Sequence, residues 1–234
     1  MDSVQQKNEL RQCFLEPDFA LIKAVQGRLA EKIRGLGIYR EALQIFISPS
    51  ILLRQVRINA LLDGKEVVMP GAGLREGFFL LSPYTISFRQ LSLAVTYKGL
   101  AQFGKRLGED DVARLRIGLL IDEARAIDRQ GNRLGDGLGL FDLAVAALSE
   151  QQALQNRCAI LGVLPDDERL IDTLPVDPWD VKCGYVVTPG GEHHFTEVNN
   201  SPGLLWDILD KRRIKRMNPL WQLYNKRRDQ KSAR

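Results

Sequence analysis

Three cysteines in 234 residues, at positions 13, 158 and 183, are too few and too scattered for a disulfide framework or a zinc-site spacing. A reducing compartment fits such a chain, and a cytoplasmic location is expected. No apolar run approaches the ~20 residues of a membrane span, and Met1-Asp-Ser-Val-Gln-Gln-Lys7 has no apolar leader core, so no membrane partner is expected. Histidine is scarcer still. His193 and His194 are adjacent, so in a strand they leave on opposite faces and cannot share a ligand. No Ser-His-Asp or Cys-His arrangement is legible, and two familiar phosphate loops are missing. No Gly-Lys-Ser/Thr closes a Walker loop, and the G-x-G-x-x-G spacing of a dinucleotide fingerprint does not occur.

What is present is an ordinary globular composition, 44% apolar and 26% charged, long enough for one sizeable domain. The net charge of +4 is unevenly spread. Lys211 to Arg234 holds ten Lys or Arg against Asp229 alone, a charge of +9, which leaves −5 on the other 210 residues. We therefore read residues 1–210 as the domain and 211–234 as a basic helical tail. Such a tail can bind nucleic acid or an acidic partner. Its Leu220, Trp221, Leu223 and Tyr224 also suit a helix docked on the domain, with Trp206 and Trp221 packing the C-terminal helices.

Apolar spacing predicts helices over residues 4–35 with a break at Pro17, and over 51–62 with a C-cap at Asp63-Gly64. A further helix is predicted over 143–154. Strands are predicted at 42–47, 65–69, 117–121 (extending through 124–127), 158–164, 184–188 and 194–198. Strands alternating with helices give an α/β fold: a mostly parallel sheet with helices on both faces, a Rossmann-like three-layer sandwich.

The richest stretch is Gly131-Asn-Arg-Leu-Gly-Asp-Gly-Leu-Gly-Leu-Phe-Asp142. Glycines at 135, 137 and 139 expose backbone N–H groups ahead of a helix, where the dipole adds positive potential and phosphates collect. Arg133 can grip phosphate oxygens, and Asp142 is a natural magnesium ligand or helix N-cap.

This run resembles the G-x-R-L-G-x-G-x-G-x-x-D signature of the 5-formyltetrahydrofolate cyclo-ligase family. Lys7-Asn-Glu-Leu-Arg11 looks like the family's N-terminal K-x-x-L-R. Asp63-Gly-Lys-Glu-Val-Val-Met-Pro70 is similar to its "GK-apolar-P" strand, and Leu174-Pro, Asp180 and Val186-Val-Thr188 to its closing segment. The resemblance implies an ATP- and magnesium-dependent ligase of folate one-carbon metabolism, with a reduced folate as substrate. It implies ATP held by Lys7, Arg11, Arg133 and the backbone of Leu134, Gly135, Asp136, Gly137, Leu138, Gly139, Leu140 and Phe141. Arg133 would also be the catalytic cation, and Asp142 and Asp180 the magnesium ligands. The family's folate-binding glutamate falls at Gln55, a neutral amide with one matching acceptor. Leu140-Phe141-Asp142-Leu143 also departs from the family's usual Tyr-Tyr-Asp-Arg, toward a divergent synthetase-domain-containing branch. These departures leave an alternative: a repurposed nucleotide-binding relative that binds RNA or a protein through its basic tail.

Overall fold

A computed structural model describes residues 3–195 and 203–232. Its strands are β1 (Gln44–Ile47), β2 (Glu66–Pro70), β3 (Phe78–Leu81), β4 (Lys105–Arg106), β5 (Ile117–Glu123), β6 (Ala126–Asp128), β7 (Arg133–Leu134), β8 (Leu154–Val163), β9 (Leu170–Ile171), β10 (Tyr185–Val187) and β11 (Glu192–His194). The helices are α1 (Ser3–Cys13), α2 (Phe19–Gly35), α3 (Gly37–Glu41), α4 (Arg54–Leu62), α5 (Phe88–Ala94), α6 (Tyr97–Phe103), α7 (Glu109–Ala113), α8 (Leu140–Glu150), α9 (Lys211–Arg216) and α10 (Asn218–Ser232).

Eight strands form one sheet in the order β11-β10-β8-β5-β1-β2-β3-β4. The five inner strands from β10 to β2 run parallel, and β11, β3 and β4 are added antiparallel. Strand β5 shows why it lies at the centre. Both of its faces are buried: from Leu119 on the side chains alternate, Leu119 and Ile121 entering one core and Leu120 the other, which Ile117 joins across a register irregularity between Ile117 and Leu119. The first core takes Ile22, Leu29 and Ile33 of α2 and Val56 and Ala60 of α4. The second takes Phe141, Val145 and Leu148 of α8 together with Ile214, Met217 and Leu220 from the C-terminal helices. This is the three-layer α/β arrangement expected.

Several boundaries differ from expectation. Strand β5 ends at Glu123 rather than running on, and Ala126–Asp128 joins a separate three-stranded sheet, β7-β6-β9. Helix α8 begins three residues earlier than the apolar run suggests, because Gly139 takes the left-handed conformation (φ 60°) at its N-cap. It stops at Glu150, where Gln152 turns with φ 57°, and β8 starts at Leu154. The hairpin partner of β10 is Glu192–His194; of the expected 194–198 strand, residues 196–198 lie outside the described residues.

The crossover β1–α4–β2 packs on one face and β5–α8–β8 on the other, while β1 and β5 are neighbours. The C-terminal ends of β1 and β5 thus form a topological switch point, the place where open α/β sheets open a crevice for ligands.

Candidate active site

The glycine run is built on a satisfied carboxylate. Asp128, fully buried, accepts from the backbone N–H of Gln130, Asn132 and Leu174 and from Asn132 Nδ2 at 2.7–2.9 Å. Gly131 turns with φ 80°, and a Cβ there would lie 2.2 Å from the Cys183 carbonyl oxygen. The chain returns along β6 as β7, which carries Arg133 to the C-terminal end of β5. Gly137 (φ 92°) and Gly139 (φ 60°) then lead into α8, whose first N–H groups face the run. The N-cap role open to Asp142 belongs to Gly139; Asp142 sits within the first turn.

Arg133 is almost wholly enclosed, with its side chain 4% exposed. It donates from Nη1 to Asp122 at 2.8 Å and from Nη2 to Asp142 at 2.7 Å, and its guanidinium lies 4.6 Å over the Phe141 ring. One cation between two carboxylates cannot serve both equally. Burial pushes the Asp122 carboxyl up to about 6, although Arg133 and Ser48 Oγ oppose the shift. Burial acts the same way on Asp142, yet Arg133 and the Val181 N–H outweigh it and hold that carboxyl below its ordinary value. Arg133 Nε is buried without a hydrogen-bond partner.

Helix α1 brings the N-terminal basic residues to the same place. Lys7, buried, is ion-paired to Asp177 at 2.6 Å and to Asp180. Arg11 donates from Nε to the Gly135 carbonyl at 2.9 Å and from Nη1 to Asn8. A Cβ at Gly137 would lie 3.3 Å from Arg11 Nε, so glycine there admits the arginine. From the far end of the chain, Arg213 of α9 donates to the Leu138 carbonyl.

Two cavities meet at this run. The first, about 440 Å³, opens at the switch point between Phe46 and Ser48 after β1 and Asp122 and Glu123 at the end of β5; Asp136, Leu140 and Phe141 also line it. The second, about 490 Å³, lies among Lys7, Arg11, Gly137, Asp177, Asp180 and Arg213. Arg133, Gly135, Gly139 and Asp142 line both. Of the residues expected at the site, Leu134 turns its side chain into a small core with Ala126 and Leu174 and offers only backbone. Leu138 is exposed at the tip. Gln55 lines neither cavity; it is half-buried on α4 and donates to Asn59 Oδ1 one turn on. Asp122, Glu123, Asp177 and Arg213 were not anticipated, since their places depend on contacts between distant segments.

For magnesium the test is the donor set. Among the described residues no cluster of three His, Cys, Asp or Glu can hold a metal. Asp142 and Asp180 still fit a magnesium that arrives on a phosphate, since that ion is commonly bound by one or two carboxylates plus substrate oxygens. The two bonds named above fall on Oδ1 of Asp142, and those of Asp180, from Lys7 and the Asp177 N–H, fall on Oδ2.

Fold and site together define an α/β protein in which two cavities share a glycine-rich, arginine-bearing wall. The 5-formyltetrahydrofolate cyclo-ligase family matches residues 5–189, and the chain belongs to that family. It is 29% identical over 206 residues to a 5-formyltetrahydrofolate cyclo-ligase of Mycolicibacterium smegmatis, covering 80% of this chain and 95% of that protein. It is 23% identical over 196 residues to a methenyltetrahydrofolate synthase domain-containing protein of Danio rerio, covering 82% of this chain. The chain spans only 51% of that relative and 42% of its Homo sapiens counterpart. The solved 5,10-methenyltetrahydrofolate synthetase of Aquifex aeolicus shares the fold, with a TM-score of 0.56 at 15% identity, covering 86% of this chain and 96% of that one.

Proposed function

We propose that this chain is an ATP- and magnesium-dependent ligase that closes 5-formyltetrahydrofolate to 5,10-methenyltetrahydrofolate. The observation that carries the reading is the shared wall. A reaction that moves a phosphoryl group from ATP to the formyl oxygen needs two ligands meeting at one point, and Arg133, Gly135, Gly139 and Asp142 form a wall common to both cavities. In this reading the terminal phosphates of ATP lie along Gly135–Gly139 in the second cavity, under Arg11 and the N-terminus of α8. The folate enters the first cavity, and its formyl group reaches the wall. Transfer of the γ-phosphoryl leaves ADP and makes the formyl oxygen a leaving group; N10 then attacks the formyl carbon and gives up its proton to water, and the C–O bond breaks to release phosphate. The protein supplies position and charge rather than a nucleophile. Asp142 and Asp180 would present their second oxygens to magnesium, which neutralises phosphate charge when bound.

The carboxylate suited to the pterin's N–H groups is Glu123, at the switch point. Burial raises its pKa against the pull of Ser50 and Arg125, and a ligand bringing N–H donors would return it to the charged form. The test is an absorbance assay for methenyltetrahydrofolate with ATP, magnesium and 5-formyltetrahydrofolate. Turnover that depends on ATP is expected. Glu123→Gln should raise the folate KM about tenfold or more without altering ATP affinity, by loss of a charge-assisted pair. ATP binding with no turnover on this folate overturns the reading.

A further inference from the structure

We propose that the segment Gly203–Arg213, beyond the 5–189 family match, completes the second cavity and that Arg213 binds nucleotide phosphate there. This rests on reading that cavity as the nucleotide site. The argument begins with charge. Lys7 and Arg133 each face two carboxylates, so their charge is already matched within the protein. Arg11 and Arg213 are different. Their bonds go to neutral acceptors, the carbonyls of Gly135 and Leu138 and the Asn8 amide oxygen, and neither is ion-paired to a carboxylate among the described residues. These are the two cavity cations whose charge is left for a ligand. Arg11 stands at the first half of the glycine run and Arg213 at the second, where a Cβ on Gly139 would be 3.7 Å from its Nη2.

The position of Arg213 is fixed by packing. Its neighbour Ile214 is buried in the second core, and the Asp210 side chain caps α9 by accepting from the Arg212 N–H at 3.0 Å. Arg213 uses one guanidinium nitrogen on Leu138, which leaves donors for phosphate oxygens. The same segment also supplies apolar surface. Leu205 and Ile208 line the cavity beside Val4 and Trp179, and all four are large apolar side chains left exposed. The lining therefore combines cationic with apolar and aromatic side chains, the chemistry of a purine nucleoside triphosphate, and in this proposal the base lies on Trp179 and the phosphates on the glycine run.

The experiment is calorimetric titration of the 234-residue chain with magnesium and ATP, and separately with adenosine. The variants are Arg213→Gln, Arg213→Lys, Arg11→Gln and Arg216→Gln, each first checked by thermal melting. Loss of one charge-assisted phosphate contact predicts ATP binding about tenfold to a hundredfold weaker in Arg213→Gln. Adenosine binding should be unchanged, Arg213→Lys should recover part of the loss, and Arg216→Gln should bind as the parent does. If Arg11→Gln weakens ATP while Arg213→Gln does not, the C-terminal segment has no part in the site and the nucleotide reading survives. If neither substitution changes ATP affinity, both fail. Equal loss of ATP and adenosine in Arg213→Gln would make the residue structural and overturn its phosphate role.

Discussion

Asp122 is the residue whose energetics are most exposed to experiment. It is buried at the end of β5, shares Arg133 with Asp142, and has its pKa pushed up to about 6. An unfolded aspartate titrates near 3.9. Between those values the folded protein holds more protons than the unfolded chain, so stability falls as pH rises through that window. Two pH units correspond to roughly 3 kcal/mol. Stability measured by denaturant titration should therefore drop between pH 4 and pH 6.5, and Asp122→Asn should lessen that slope, the part left belonging to groups such as Glu123 that burial also raises. A slope unchanged in the variant would show that Asp122 is charged throughout. Arg133→Ala is a poor probe by comparison. It would leave Asp122 and Asp142 buried without their cation, a loss of about 3–5 kcal/mol that confounds folding with binding. Arg133→Lys keeps the charge but not the fork, and should retain the fold while lowering turnover.

At the scale of elements, α1 is a clamp held largely by polar contacts. Leu10 of the helix and Phe14 just beyond it pack in the small core with Leu174, while Ser3, Lys7 and Arg11 tie it to Asp177, Asp180 and Gly135. Lys7→Gln would leave Asp177 and Asp180 close together without their cation. Hydrogen exchange should then accelerate tenfold or more over residues 3–13 while β1 and β5 keep their protection, as expected of a locally opening unit. Uniform acceleration across the sheet would show that α1 is part of the global fold. Other elements differ in how plainly the sequence announces them. Ile117–Ile121 is readable because a strand covered on both faces needs an unbroken apolar run. The short pieces β3, α5, α6, β4 and α7 between Phe78 and Ala113 carry too few residues to establish a period; β3 is placed by pairing with β2, α5 and α6 by packing in the first core, and α7 by Val112 in the second. The start of α8 was misread because a left-handed glycine cap leaves no polar side chain to mark it. Arg133, Asp142, Lys7 and Arg11 were legible as chemistry, whereas Asp177 is a site residue only through a contact 170 positions away.

Across the whole molecule, the uneven charge of the sequence takes on a different meaning once the C-terminal helices are in place. Several tail cations are engaged by their own chain: Lys226 with Glu109 at 2.8 Å, Arg227 over the Trp206 ring, and Arg213 on the glycine run. The apolar face of the same segment completes the second core. Ile214, Met217 and Leu220 are all buried there, and Trp206 and Trp221 both pack against Tyr224. Burying one such side chain stabilises a fold by about 1.5–3 kcal/mol, so three amount to roughly 5–9 kcal/mol. The entire stability of a typical domain is about 5–15 kcal/mol. We therefore propose that 211–232 is an integral part of the folded unit rather than an appended arm. A chain ending at Asp210 should lose its cooperative thermal transition and its near-ultraviolet circular dichroism. Its exposed second core should also bind a hydrophobic dye. If that chain instead melts as the 234-residue chain does, the helices contribute nothing to the core. If it then loses binding to RNA that the full chain shows, the basic segment is an interaction arm after all.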